Sequence, residues 1–136
     1  MTSIVRYDGD LRTTSVHLKS NNEFITDAPI DNNGKGEAFS PTDTVATGLA
    51  SCMLTVMGIK AKNMELDMLH ASAQVTKHMA SEPRRISKIE VVLNMPFDFD
   101  NKTKKILENT ANTCPVHYSL HPDIEKEVTF VWGKED

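Results

Sequence analysis

Two cysteines, Cys52 and Cys114, are the residues of this sequence best suited to chemistry. A thiolate is a nucleophile and a metal ligand, and two thiols brought together by a fold can cycle between dithiol and disulfide. Their settings differ. Cys52 lies in Ala46-Thr47-Gly48-Leu49-Ala50-Ser51-Cys52-Met53-Leu54, with small or apolar residues on nearly every side. That run predicts a buried or nearly buried thiol which, taken alone, reads first as packing. Cys114 precedes Pro115, a pairing that disfavours helical backbone at the cysteine and suits the proline to a first helical turn. Cys114 is therefore expected at a helix N-cap, where unpaired N–H groups and the helix dipole favour thiolate. His117, three residues on, either adds positive charge there or is a partly exposed polar residue.

Other groups add less. A zinc site would draw on Cys52, Cys114, His117 and His121, but structural zinc sites pair ligands at short spacing in both halves, and only one half is paired here. No metal or cofactor is expected, and no GxSxG, P-loop or GxGxxG motif points to hydrolase or nucleotide chemistry. Asp43 is a carboxylate on the same predicted helix as Cys52. Nine residues of helix put about 13 Å of rise and roughly half a turn between them, so Asp43 acts beside Cys52 only from another subunit. Otherwise it is a capping-box acid.

The elements that carry these residues follow from pattern. Ile4 to Tyr7, Thr14 to Leu18 and Glu23 to Thr26 are short β-compatible runs separated by Asp8-Gly9-Asp10 and Ser20-Asn21-Asn22, a predicted meander. Asp27 to Ala38, rich in Asp, Asn, Gly and Pro, reads as an exposed loop and a candidate lid. Ser40-Pro41-Thr42-Asp43 starts a helix expected to run from Pro41 to about Asn63. Leu69 to Met79 and Ile86 to Met95 form a predicted hairpin around Ser81-Glu82-Pro83. Asp100 or Asn101 caps a second helix with Ile106, Leu107 and Ala111 on its core face, and a short third helix follows Pro115. Val128, Phe130 and Trp132 mark a final strand. Runs of strands separated from runs of helices favour α+β over a doubly wound sheet.

Composition sets the bounds. The 136 residues suit a single domain, and 39% hydrophobic with 25% charged residues is an ordinary globular balance. A net charge of −4 with scattered Lys and Arg offers no stripe for a phosphate backbone, so no nucleic-acid partner is expected. The start of the chain lacks the apolar core of a secretory signal, and the most apolar stretch, Thr44 to Ile59, falls short of the roughly 20 residues that span a bilayer. The expectation is a cytoplasmic protein without a membrane partner, whose two cysteines serve chemistry rather than stapling.

Phe39-Ser40-Pro41-Thr42-Asp43, Leu49-Ala50-Ser51-Cys52-Met53, Pro83-Arg84-Arg85-Ile86 and Thr113-Cys114-Pro115-Val116, in this order and spacing, resemble the OsmC/Ohr family over nearly the whole chain. The resemblance implies an α+β fold of antiparallel sheets around a long central helix, in an intertwined homodimer with active sites at the subunit interface. It further implies that Cys52 matches the peroxide-attacking cysteine and Cys114 the resolving one. The activity implied is reduction of organic hydroperoxides, with an external dithiol as reductant. A family arginine and carboxylate assist the first thiol. Arg12, near the end of the N-terminal meander, is the match for that arginine, and Arg6 is the fallback. The well-studied branch has glutamate directly after the proline, where this chain has Thr42. Asp43, one place later, resembles the acid of more divergent members. A non-catalytic protein of this fold, binding an apolar small molecule at the dimer interface, is the alternative.

Overall fold

A computed structural model describes residues 1–133, and their contacts divide the chain into two compact units, Met1–Val45 and Ala46 onward. In the first unit, β1 (Ser3–Gly9), β2 (Arg12–His17) and β3 (Glu23–Asp27) form an antiparallel meander in that order. Asp10 and Leu11 both take positive φ, 53° and 62°, the two-residue turn whose twist matches the flanking strands. The expected runs are found, with shifted ends. β2 begins at Arg12 rather than Thr14, and β3 extends to Asp27, which puts these two residues opposite each other across the sheet. Aspartate is a poor strand former, so pattern reads Asp27 as the first residue of a loop. The buried residues of this unit are polar: Thr14, Thr26, Asp27 and Ser40.

The segment after β3 is exposed over most of its length, but it is tied down. Ala28 N–H donates to Leu11 O, Gly36 N–H to Ala28 O and Gly34 N–H to Pro29 O, around a short 3-10 turn at Ile30–Asn32. Gly34 passes so close to Ala28 that a Cβ there would sit 1.8 Å from the Ala28 carbonyl oxygen, so only glycine fits.

The long helix α1 (Pro41–Asn63) has the expected bounds and crosses from the first unit into the second. Its start is a reciprocal capping box: Asp43 N–H donates to Ser40 Oγ at 3.1 Å, and Ser40 N–H donates to Asp43 Oδ2 at 2.9 Å. Ala46, Leu49, Ala50, Met53, Met57 and Ala61 are buried at helical spacing, while Val45 and Ile59 are exposed. By length and composition alone α1 is long and apolar enough to cross a membrane. Its buried stripe, however, belongs to the core of the second unit.

That unit pairs β4 (Ser72–Ala80) with β5 (Arg85–Met95) as the expected antiparallel hairpin, and then lays β6 (Glu125–Trp132) parallel to the far side of β5. The parallel pair departs from an all-antiparallel expectation. It arises because α2 (Asn101–Ala111) and α3 (Pro115–Ser119) lie between β5 and β6, a connection long enough for a crossover. Leu69 and His70, expected at the start of the hairpin, precede it instead, and Leu69 is exposed. Asp100 caps α2 by accepting from Thr103 N–H at 2.7 Å. Ile89, Val91, Leu93 and Met95 of β5 alternate into the core, where they meet the α1 stripe, Leu107, Ala111 and Cys114. The opposite face is charged: His78 Nε2 lies 2.6 Å from Glu90, and Lys88 Nζ lies 2.8 Å from Glu127.

Candidate active site

Cys52 stands on α1 beside buried Met53, at the edge of the buried stripe rather than within it, and is half-buried. The expectation of near-complete burial therefore needs correction. The apolar residues around Cys52 in sequence run right round the helix, and only one face of that helix meets the core. Cys114 is the fully buried thiol, with 0% exposure.

Cys114 is the N-cap of α3, as its place before Pro115 predicts: its backbone is extended (φ −71°, ψ 151°), and its Sγ accepts the His117 N–H at 3.3 Å. The expected thiolate character does not follow. Burial pushes the Cys114 thiol up from its ordinary range, the neighbouring Cys52 thiol pushes it further, and the His117 N–H only partly opposes them. Desolvation in a packed core outweighs one N–H donor from a five-residue helix. His117 supplies that donor through its backbone. Its ring does not favour the charged form, since burial first and Lys126 second lower its pKa. His121 is exposed and closes a turn, its Nδ1 accepting from Asp123 N–H at 3.0 Å. Among the described residues no three His, Cys, Asp or Glu side chains gather as a metal ion requires.

The fold thus brings Cys52 and Cys114, 62 positions apart in sequence, together as neighbours at one core in the second unit, both as free thiols. The two thiols differ in setting: Cys52 belongs to a half-buried residue and Cys114 to a fully buried one.

The first unit holds the other candidates. Arg12 grips Asp27 side-on, with Nε to Oδ1 at 2.7 Å and Nη2 to Oδ2 at 2.8 Å. Asp27 is 1% exposed and also accepts Glu37 N–H at 3.1 Å, while the Glu37 carboxylate lies 4.0 Å from Arg12 Nη2. The Arg12 guanidinium holds the Asp27 carboxyl below the usual carboxylate range, and Asp27 in turn raises the pKa of Arg12, so each favours the charged form of the other. Arg6, the fallback, is exposed and bonds Asp8 at 3.0 Å. Asp43 occupies the capping box described above. Arg85 donates to the carbonyls of Ser81 and Pro83, both at 2.9 Å, and so shapes the hairpin turn. Asp27 was missed in the sequence, although a signal was present. Continuing the antiparallel register one residue beyond Thr13 and Thr26 sets Arg12 opposite Asp27.

Comparison with known proteins agrees with this architecture. The OsmC-like protein family matches residues 34–129. No curated protein matches the chain. A crystal structure from Psychrobacter arcticus, of a protein named for osmotic stress induction and detoxification response, is 58% identical, with 96% of each chain covered and a TM-score of 0.94. An OsmC-like protein of Mycoplasma pneumoniae shares the fold at 16% identity (TM-score 0.80, covering 96% of this chain and 95% of that one). So does an organic hydroperoxide resistance protein OsmC of Legionella pneumophila at 17% identity (TM-score 0.70, 96% of each chain).

Proposed function

The chain belongs to the OsmC-like protein family, and from that premise we propose that it is a cysteine-based peroxidase that reduces organic hydroperoxides in oxidative stress defence. The observation that carries this reading is the half-buried Cys52 beside the fully buried Cys114, both free thiols. Cys52, as thiolate, attacks the distal oxygen of the hydroperoxide and breaks the O–O bond. Sulfur takes that oxygen to become sulfenic acid, and the alkoxide leaves and picks up a proton as alcohol. Cys114 then displaces hydroxide from the Cys52 sulfur, its own proton completing a water, and a Cys52–Cys114 disulfide results. A buried protonated thiol suits this second role, since it does not compete for peroxide and ionises only as it attacks. An external dithiol reduces the disulfide, and its two hydrogens restore both thiols.

Leu54, partly buried two residues from Cys52 on the same helix, gives the surroundings an apolar character that favours an organic tail over hydrogen peroxide. Arg12 is assigned to stabilise the Cys52 thiolate across a homodimer interface. The homodimer is supported by the apolar side chains exposed on the first unit, Ile4, Val5, Tyr7 and Phe24, whose sheet buries no large apolar residue of its own. A dithiol reductant is a resource of reducing compartments, which supports a cytoplasmic location. Replacing Cys52 by Ser tests the reading: steady turnover of cumene hydroperoxide with dithiothreitol is expected to vanish. Turnover retained in C52S overturns it.

A further inference from the structure

We propose that α3 is a redox-sensitive turn: a Cys52–Cys114 disulfide takes away its N-cap, so that α3 is closed in the dithiol form and loosened in the disulfide form; this rests on the peroxidase reading above. Five residues do not hold a helix on their own, since isolated helices shorter than about 12 residues are marginal in water. α3 therefore depends on the contacts at its ends, and those at its start belong to one residue. The His117 N–H donates to Cys114 Sγ and the Tyr118 N–H to the Cys114 carbonyl, both at 3.3 Å. Two shorter bonds lie further along, from Leu120 N–H to Val116 O at 3.1 Å and from the Ser119 hydroxyl to Pro115 O at 2.8 Å. No residue of α3 itself is fully buried, and Tyr118, with the His117 ring edge-on to it at 5.8 Å, is 71% exposed.

Making the disulfide changes the task of the Cys114 sulfur. The hydroperoxide is reduced to an alcohol, its second oxygen leaves with both thiol hydrogens as water, and the two sulfurs pass from neighbours to a covalent bond. One of their two supports must yield to that closure. Cys52 sits within a 23-residue helix that buries Ala46, Leu49, Ala50, Met53, Met57 and Ala61, and a close-packed core resists displacement. Cys114 stands at the start of a short turn with few ties, so the Cys114 end moves and the cap it provides goes with it. Sulfur is a weak acceptor, and a bond to it that is already 3.3 Å long is easily lost to such a shift, together with the equally long Tyr118 bond beside it. Reduction by the external dithiol returns the sulfur and remakes the cap. The state of a buried bond is in this way displayed on the surface around Tyr118.

The test compares amide hydrogen exchange in the full chain before and after one equivalent of cumene hydroperoxide, with the disulfide mapped by mass spectrometry in the same samples. Protection of the His117 and Tyr118 amides is expected to fall about tenfold on oxidation, as for a turn that has lost its closing bonds, and to return with dithiothreitol. The α1 amides of residues 50–56 are expected to keep theirs. Cys114→Ser, whose hydroxyl can accept the His117 N–H but can form no disulfide, is expected to show no change at these amides with peroxide. Equal protection of His117 and Tyr118 in the two mapped forms overturns the proposal, as does a loss of protection centred on α1. Failure of the peroxidase reading looks different: peroxide leaves both thiols free, and diamide, a general thiol oxidant, then makes the bond for the same comparison. A chain that forms no Cys52–Cys114 bond with either oxidant overturns the proposal as well.

Discussion

Replacing Cys114 by Ser separates the two chemical steps, and the structure fixes what the change does to the fold. The site is fully buried, and the sulfur caps α3 by accepting the His117 N–H at 3.3 Å. Serine is smaller and more polar than cysteine, and burying its hydroxyl costs about 1–3 kcal/mol if it is left without partners. It is also among the best N-cap residues, and a hydroxyl that accepts the His117 N–H returns about 0.5–1.5 kcal/mol. The two effects leave a net loss of roughly 1 kcal/mol, small beside the 5–15 kcal/mol of an ordinary domain, so C114S is expected to stay folded. Chemically it stops after the first step. One equivalent of hydroperoxide then converts Cys52 to sulfenic acid with no thiol to resolve it, and dimedone added during the reaction labels Cys52 in nearly every chain. The parent protein, resolving within the same core, gives little adduct and a disulfide instead. The assay is intact-mass spectrometry of dimedone-treated samples after peroxide. Refutation takes a definite form: a folded C114S protein that consumes no peroxide and takes no dimedone, or that turns over with dithiothreitol as fast as the parent through many cycles.

Three further outcomes are expected. Because burial raises the Cys114 pKa, the folded state holds that proton more tightly than the unfolded chain does. The stability this contributes is complete below the ordinary thiol range and is lost as pH climbs through it. Urea midpoints of the reduced protein should fall from pH 8 to pH 10, and C114S should lack that part of the fall. Gly34→Ala forces the backbone at Ala28 to move, since the new methyl group overlaps the Ala28 carbonyl, and limited proteolysis should cut between residues 28 and 39 faster than in the parent. An unchanged cleavage rate would mean the segment is not held as described. Leu107→Ala opens a cavity where α2 meets the core and should lower unfolding free energy by about 2–5 kcal/mol, read by urea denaturation.

Much of the fold was legible because local signals and tertiary demands coincide. Ser40-Pro41-Thr42-Asp43 carries its own capping chemistry, and α1 starts there. Asp100 and Cys114 cap the helices that follow them, because their hydrogen bonds are made within three residues. What stayed hidden depends on partners distant in sequence. The parallel placement of β6 is decided by packing against β5, which no pattern within Glu125–Trp132 encodes. The exposure of Cys52 depends on which face of an evenly apolar helix meets the core, and periodicity could not choose between faces. Cys114 was legible as a cap but not as a buried, proton-retaining thiol, since desolvation is a property of everything packed around it. Asp27 looked like the start of a polar loop because its ion-pair partner lies 15 residues earlier.

The central claim, that Cys52 and Cys114 act as one redox pair, is tested most directly by counting. Reduced protein receives one equivalent of cumene hydroperoxide, free thiols are titrated over the following seconds to minutes, and peptides are mapped by mass spectrometry. The account predicts that both thiols disappear together and that a Cys52–Cys114 peptide pair is recovered within single chains. Two thiols still free after minutes, in protein that remains folded, would contradict it and would turn attention to a family member that binds an apolar ligand without cycling.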